Sequence, residues 1–215
     1  SDLYLRTQGN HALWVQQQVR ELRALLQEHI RRHPQFATSL SPVTQPGKLH
    51  PMLTAMYRAG RLAGTGPMAA VAGAVAQWVG QELRQRSTEV IVENGGDIYL
   101  CLQEPGITTL YAGKSKFSGA IGIRIRPENT PLAVCTSSGT VGHSLSHGRA
   151  DAATIVCKDA CLADAVATAT ANMIATEADL EPALDSALEI RGVLGAVVVL
   201  GDNLGAKGKV ELIST

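Results

Sequence analysis

The feature that most constrains this chain is a block of short alternating segments between residues 88 and 157, set between two stretches of helical spacing. Residues 88–93, 97–102, 107–112, 119–126, 131–136 and 150–157 carry the two-residue period or the β-branched runs of buried and half-buried strands. Ahead of them, Val15, Val19, Leu22, Leu26 and Ile30 recur at helical spacing until Pro34. A short helix is expected over 51–62, and a helix of small residues over 68–85. Beyond the strands, helical spacing returns over 160–176 and near 182–190, followed by strands at 195–200 and 208–213 with a turn at 202–205. Strands clustered between helical blocks predict an α+β fold, with mixed or antiparallel sheets packed against small-residue helices.

The 215 residues, 45% hydrophobic, suffice for one domain over 1–215, with the helix at 10–33 and the loop at 38–51 as an appendage. Lys+Arg and Asp+Glu are both 19, and that neutrality argues against nucleic acid as the partner, because phosphate neutralisation calls for a basic excess. The longest apolar stretch, 67–77, is too short to span a bilayer, so no membrane partner is expected. Cys101, Cys135 and Cys157 fall in expected strands and read as small buried hydrophobes. Cys157 and Cys161 lack a second Cys/His pair at metal-site spacing. No secretory leader pattern opens the sequence, so a cytoplasmic setting is expected. Gly66, Gly73 and Gly80 share one helix face, which suits close packing inside the fold or against a second copy in a homodimer.

Four places could carry chemistry. Gly64-Thr65-Gly66-Pro67 opens a helix, and free N–H groups at a helix start can hold a phosphate. Asn94-Gly95-Gly96-Asp97 follows a β-branched run; it reads first as a hairpin turn, and alternatively as a place where a ligand approaches the backbone beside a carboxylate. Ser137, Ser138, Gly139 and Thr140 belong to a hydroxyl-rich loop that also holds His143 and His147, candidate acid/base groups. Asp164 and Thr168 stand at i and i+4 of a helix, two hard oxygen ligands that suit Mg²⁺; Asp164 could equally cap a helix.

In this order, Asn94-Gly95-Gly96-Asp97-Ile98, Thr136-Ser137-Ser138-Gly139 and Ala163-Asp164-Ala165-Val166-Ala167-Thr168 resemble the three signature segments of the ApbE superfamily. The small-residue helix over 66–81 fits a fourth, and the resemblance covers about 60–175. It is closest to a short branch with a Gly-Pro-Met-Ala-Ala-Val-Ala-Gly helix and a Ser-Ser-Gly-Thr-Val-Gly-His-Ser loop. The main branch is similar to Mg²⁺-dependent flavin transferases, which bind FAD and pass FMN to a threonine or serine of an acceptor protein, releasing AMP. The resemblance implies an ApbE-like fold and Asp164 and Thr168 as metal ligands. It also implies that Gly95, Gly96 and Asp97 line the flavin site, with Ser137, Ser138 and Gly139 near it. A non-catalytic flavin- or nucleotide-binding module is the alternative.

Overall fold

In the computed structural model, residues 2–139 and 148–215 are described. Seven strands form an antiparallel sheet in the order β1 (Leu3–Thr7), β2 (Val90–Asn94), β3 (Asp97–Cys101), β6 (Leu132–Ser137), β7 (Ala152–Cys157), β8 (Val193–Leu200), β9 (Asn203–Gly208). A second antiparallel sheet of three strands runs β10 (Leu212–Ser214), β5 (Ile121–Ile125), β4 (Gly106–Thr109). The α+β expectation holds, with every named strand pair antiparallel.

Alternation along the strands sorts side chains to two faces. One face carries Val90, Val92, Tyr99, Ala133, Cys135, Ile155 and Cys157 against the helices. These are α1 (Ala12–Arg32), α3 (Pro51–Ala63), α4 (Val71–Leu83), α5 (Ala160–Met173) and α6 (Leu180–Glu189), with the short α2 (Gln35–Thr38) beside them. The other face carries Leu100, Leu132, Val134, Val156 and Val197 against Leu110, Ile123 and Ile125 of the small sheet and the loop after β4. The molecule is therefore a three-layer stack of helices, large sheet and small sheet.

The small residues set how closely the helices approach. A Cβ on Gly73 would lie 2.2 Å from the Ala160 carbonyl oxygen and 2.9 Å from the Asp164 Cβ. One on Gly80 would lie 2.2 Å from the Tyr99 ring, and one on Gly66 1.8 Å from the Ser39 carbonyl oxygen. All three glycines thus pack inside this chain, and none presents its free face to a second copy.

Several expectations shift. The helix expected over 68–85 is a 3₁₀ turn at Pro67–Ala70 followed by α4, because Pro67 fixes its own φ while Gly66 stays extended. The turn near 202 is tighter than expected, at Gly201 and Asp202, so Asn203–Gly208 is already strand and the closing segment splits into β9 and β10. β1 was not expected; its five residues are too few for periodicity to speak. The N-terminal helix is tied to the body through buried Val15 and Leu26. His29, in the last turn of α1, is buried, 2.9 Å from the Tyr57 hydroxyl, and burial holds its pKa below the usual value. All four cysteines are free thiols.

Candidate functional site

Asn94 and Asp97 face each other across the last rung of the β2–β3 ladder, leaving Gly95 and Gly96 as a two-residue turn. Their φ values, +66° and +99°, are open to glycine and strained for other residues, the requirement of a primed hairpin turn. The turn reading holds, and the tip of this hairpin borders a cavity of about 1060 Å³. That volume is at the upper end of small-molecule sites, roughly 300–1000 Å³. Around this end the cavity meets Ala72, Asn94, Gly95, Gly96, Asp97, Thr136, Ser137 and Ser138.

The strand pairing brings these segments together. Asp97 lies opposite Cys135 on β6, so Ser137 comes two residues further along the same helix-side face. The Asn94 side-chain amide donates to the Ala72 carbonyl oxygen at 3.1 Å, tying the hairpin to the start of α4. Ser137 and Thr168 share a hydrogen bond of 3.1 Å between hydroxyls, which links the loop signature to α5.

Asp164 sits one turn before Thr168 and is buried. Its Oδ2 accepts from the Gly73 N–H at 2.8 Å, and the Ala72 N–H also donates to it. These are orphan donors of the first turn of α4, so the anion at this helix start is the chain's own carboxylate. Burial pushes the Asp164 pKa up to about 7 despite those two donors. Asp97 is raised well above the carboxylate range, first by burial and then by the charge of Asp164. The Cys135 side chain and the Thr136 backbone, which pull the other way, do not offset this. Asp97 Oδ1 is buried without a hydrogen-bond partner among the described residues. Two acids are therefore buried close enough for the charge of one to act on the other, and among the described residues no basic side chain is seen to act on either.

Gly64, Thr65 and Gly66 stand apart from this site. The N–H groups of Gly64 and Thr65 donate to the Gly60 carbonyl oxygen, and that of Gly66 to the Leu40 carbonyl oxygen. Pro67 has none, so the loop offers no backbone donor to a phosphate, and none of its residues borders the cavity. The helix start expected at residue 68 lies three residues before α4 begins at Val71, and the first-turn amides of Ala72 and Gly73 are taken by Asp164. Gly139 also does not border the cavity. Its N–H donates to the Ala150 carbonyl oxygen at 2.8 Å, and a Cβ there would lie 1.9 Å from the Gly148 carbonyl oxygen. Thr140, His143 and His147 lie outside the described residues. Among the described residues, no three His, Cys, Asp or Glu side chains converge as a metal cluster.

Sequence reasoning missed the outer cavity. Tyr4, Arg6, Glu89, Ile91 and Glu93 line it from the face of β1 and β2 turned away from the helices, or from just before β2. Tyr111, 67% exposed, borders it after β4. A large aromatic side chain left bare was the available signal, legible only once the strand faces were known.

The sequence model of the family described as "AbpE bacteria" matches residues 1–210. The chain belongs to the ApbE superfamily. Among curated relatives, a UPF0280 protein of Methanocaldococcus jannaschii is 42% identical, covering 88% of this chain and 80% of its own. Another, of Methanothermobacter thermautotrophicus, is 43% identical over 87% of this chain and 75% of its own. Among solved structures, the chain is similar to the flavin transferase ApbE from Vibrio cholerae, at 17% identity and a TM-score of 0.48. That match covers 86% of this chain and 73% of the other. The apo flavinyl transferase ApbE of Pseudomonas stutzeri matches at 17% identity and a TM-score of 0.46, covering 67% of this chain. This chain spans 48% of that protein's length.

Proposed function

We propose that this ApbE-superfamily member binds FAD, or a related pyrophosphate-containing ligand, with Mg²⁺, and transfers FMN to a hydroxyl of an acceptor protein. The observation that carries the reading is a buried acid at the cavity end, Asp97, which keeps an unpartnered oxygen among the described residues and feels the charge of Asp164. Asp164 and Thr168 lie behind it on α5 and do not themselves border the cavity. As anions Asp97 and Asp164 would be costly to bury, so they hold protons unless a cation is there to let them ionise. The donor set fits a small hard ion: carboxylate oxygens of Asp97 and Asp164 and the hydroxyls of Thr168 and Ser137, with room for ligand phosphates. Bound there, Mg²⁺ would neutralise the charge that builds on the pyrophosphate as it breaks.

The remaining roles belong to the chain. Gly95 and Gly96 have no side chains, so a phosphate can approach the turn backbone. Ser137 and Ser138 offer hydroxyls at the same end of the cavity. In the transfer, the acceptor oxygen forms a bond to the FMN phosphorus while the bond from that phosphorus to the bridging oxygen breaks. AMP leaves with the bridging oxygen, and the acceptor's proton passes to a base, for which His143 is the candidate.

One observation favours a binding module without chemistry: Asp164 already holds the first turn of α4, a role that needs no metal. Thermal unfolding with FAD, with and without Mg²⁺, and chromatographic detection of AMP separate the two. A ligand at a hundredfold excess over its Kd adds about 2.7 kcal/mol to stability. The transferase reading expects that gain only with Mg²⁺, and AMP release when an acceptor hydroxyl is present. A gain indifferent to Mg²⁺, with no AMP, supports the binding module; no gain with FAD in either condition sinks both.

A further inference from the structure

The cavity walls are of two kinds. β2 and the residue before it reach the cavity through Glu89, Ile91 and Glu93, every second residue, as a sheet face must, with Asn94 joining only at the hairpin end. By contrast, all six residues from Glu104 to Thr109 border the cavity in an unbroken run. A strand presents consecutive residues to one side only through its edge. β4 is the outer strand of the small sheet, paired with β5 alone. The Leu110 N–H donates to Ile121, so by alternation the N–H and C=O groups of Ile107 and Thr109 point away from β5. The cavity is thus a trough: its floor is the outer face of β1–β3, one wall is an unpaired strand edge, and one end is the Asp97 site.

We propose that this trough docks an extended segment of the acceptor protein, which pairs with the β4 edge and so lays its hydroxyl toward Asp97. The inference rests on the group-transfer reading above. An unpaired edge recognises extended polypeptide through the main chain. β4 itself carries no Lys, Arg or Pro to blunt that edge. Charge narrows the occupant. Arg6 is paired with Glu89 at 3.3 Å, while Glu93 and Glu104 have no ion-pair partner among the described residues. The segment that fits carries basic side chains and no acidic run.

The probe is a phage-displayed library of nine-residue peptides, selected on the full chain with FAD and Mg²⁺ and counter-selected on Ile107→Pro. Proline there removes one outward N–H and leaves the β4–β5 ladder its bonds; Thr109→Pro repeats the test, with folding of both read by circular dichroism. The best peptide is then compared with a copy N-methylated at alternate residues. Lys- or Arg-containing peptides should emerge, weakening roughly tenfold or more on N-methylation or on either proline substitution. Equal affinity of the methylated copy, or no enrichment over the proline variant, overturns the proposal. So does a concentration-dependent dimer that Ile107→Pro abolishes, since the edge would then serve a second copy. FAD binding measured alongside separates the two failures: loss of the peptide result with FAD still bound removes the docking edge and leaves the site.

Discussion

Two glycine-marked turns in this chain invite the same reading and have opposite roles. Gly64-Thr65-Gly66 and Asn94-Gly95-Gly96-Asp97 each combine permissive backbone with polar side chains. The first turns its N–H groups inward to Gly60 and Leu40 and leaves the Thr65 hydroxyl buried without a partner. The second leaves its tip on the cavity and sets a carboxylate with a bare oxygen beside it. A glycine turn serves a ligand only when the surrounding structure leaves its polar groups unsatisfied toward open space. Glycine content alone does not report that.

The largest effect expected from this contrast is on pH dependence. Asp164 rises from an ordinary carboxylate value to about 7 on folding, and Asp97 also rises. The native state therefore holds protons that the unfolded chain has released, so stability falls as pH climbs from about 4 through the folded values of the two acids, about 7 for Asp164. Asp164 alone should contribute about 4 kcal/mol of that fall in metal-free protein, by denaturant titration at a series of pH values. Asp97→Asn should remove the part of the fall that Asp97 adds and leave the part set by the burial of Asp164; an unaltered profile in that variant would show that Asp97 is not protonated on folding. Next in size is Gly73→Ala, which forces α4 away from Ala160 and Asp164. Overpacking there should cost about 3 kcal/mol by urea unfolding.

A matched pair of substitutions tests the contrast itself. Gly64→Ala and Gly95→Ala both place a Cβ in open space at φ of +75° and +66°. Each should cost about 1 kcal/mol from backbone strain. Only Gly95→Ala should also weaken FAD binding in fluorescence titration, and equal weakening by Gly64→Ala would restore the first turn to the site. The smallest effect belongs to Thr65→Val. Removing a buried hydroxyl without a partner should leave stability unchanged or raise it by up to about 1 kcal/mol, with no effect on ligand.

Much of this was legible in the sequence because it depends on period and on residue type. The strand block, α5 with Asp164 and Thr168 on one face, and the hairpin at Gly95-Gly96 follow from spacing alone. Where α4 begins did not, because a 3₁₀ turn and an α-helix share the same small residues until their hydrogen bonds are known. Nor did Asp164 as the cap of another helix: its partners at Ala72 and Gly73 are 91 residues away for the Gly73 bond. The outer trough was hidden for a similar reason. Tyr4 and Glu104 become neighbours of one space only when β1 joins the large sheet and β4 ends the small one.

The central claim is that the Asp97–Asp164 pair is the cation-dependent end of a dinucleotide site. Calorimetric titration of FAD into the protein, in Mg²⁺ and in chelator, for the native chain and Asp97→Asn, addresses it directly. Binding by the native chain that requires Mg²⁺ and is lost in Asp97→Asn is the predicted result. Binding of equal strength in chelator, or retained in the variant, would contradict it.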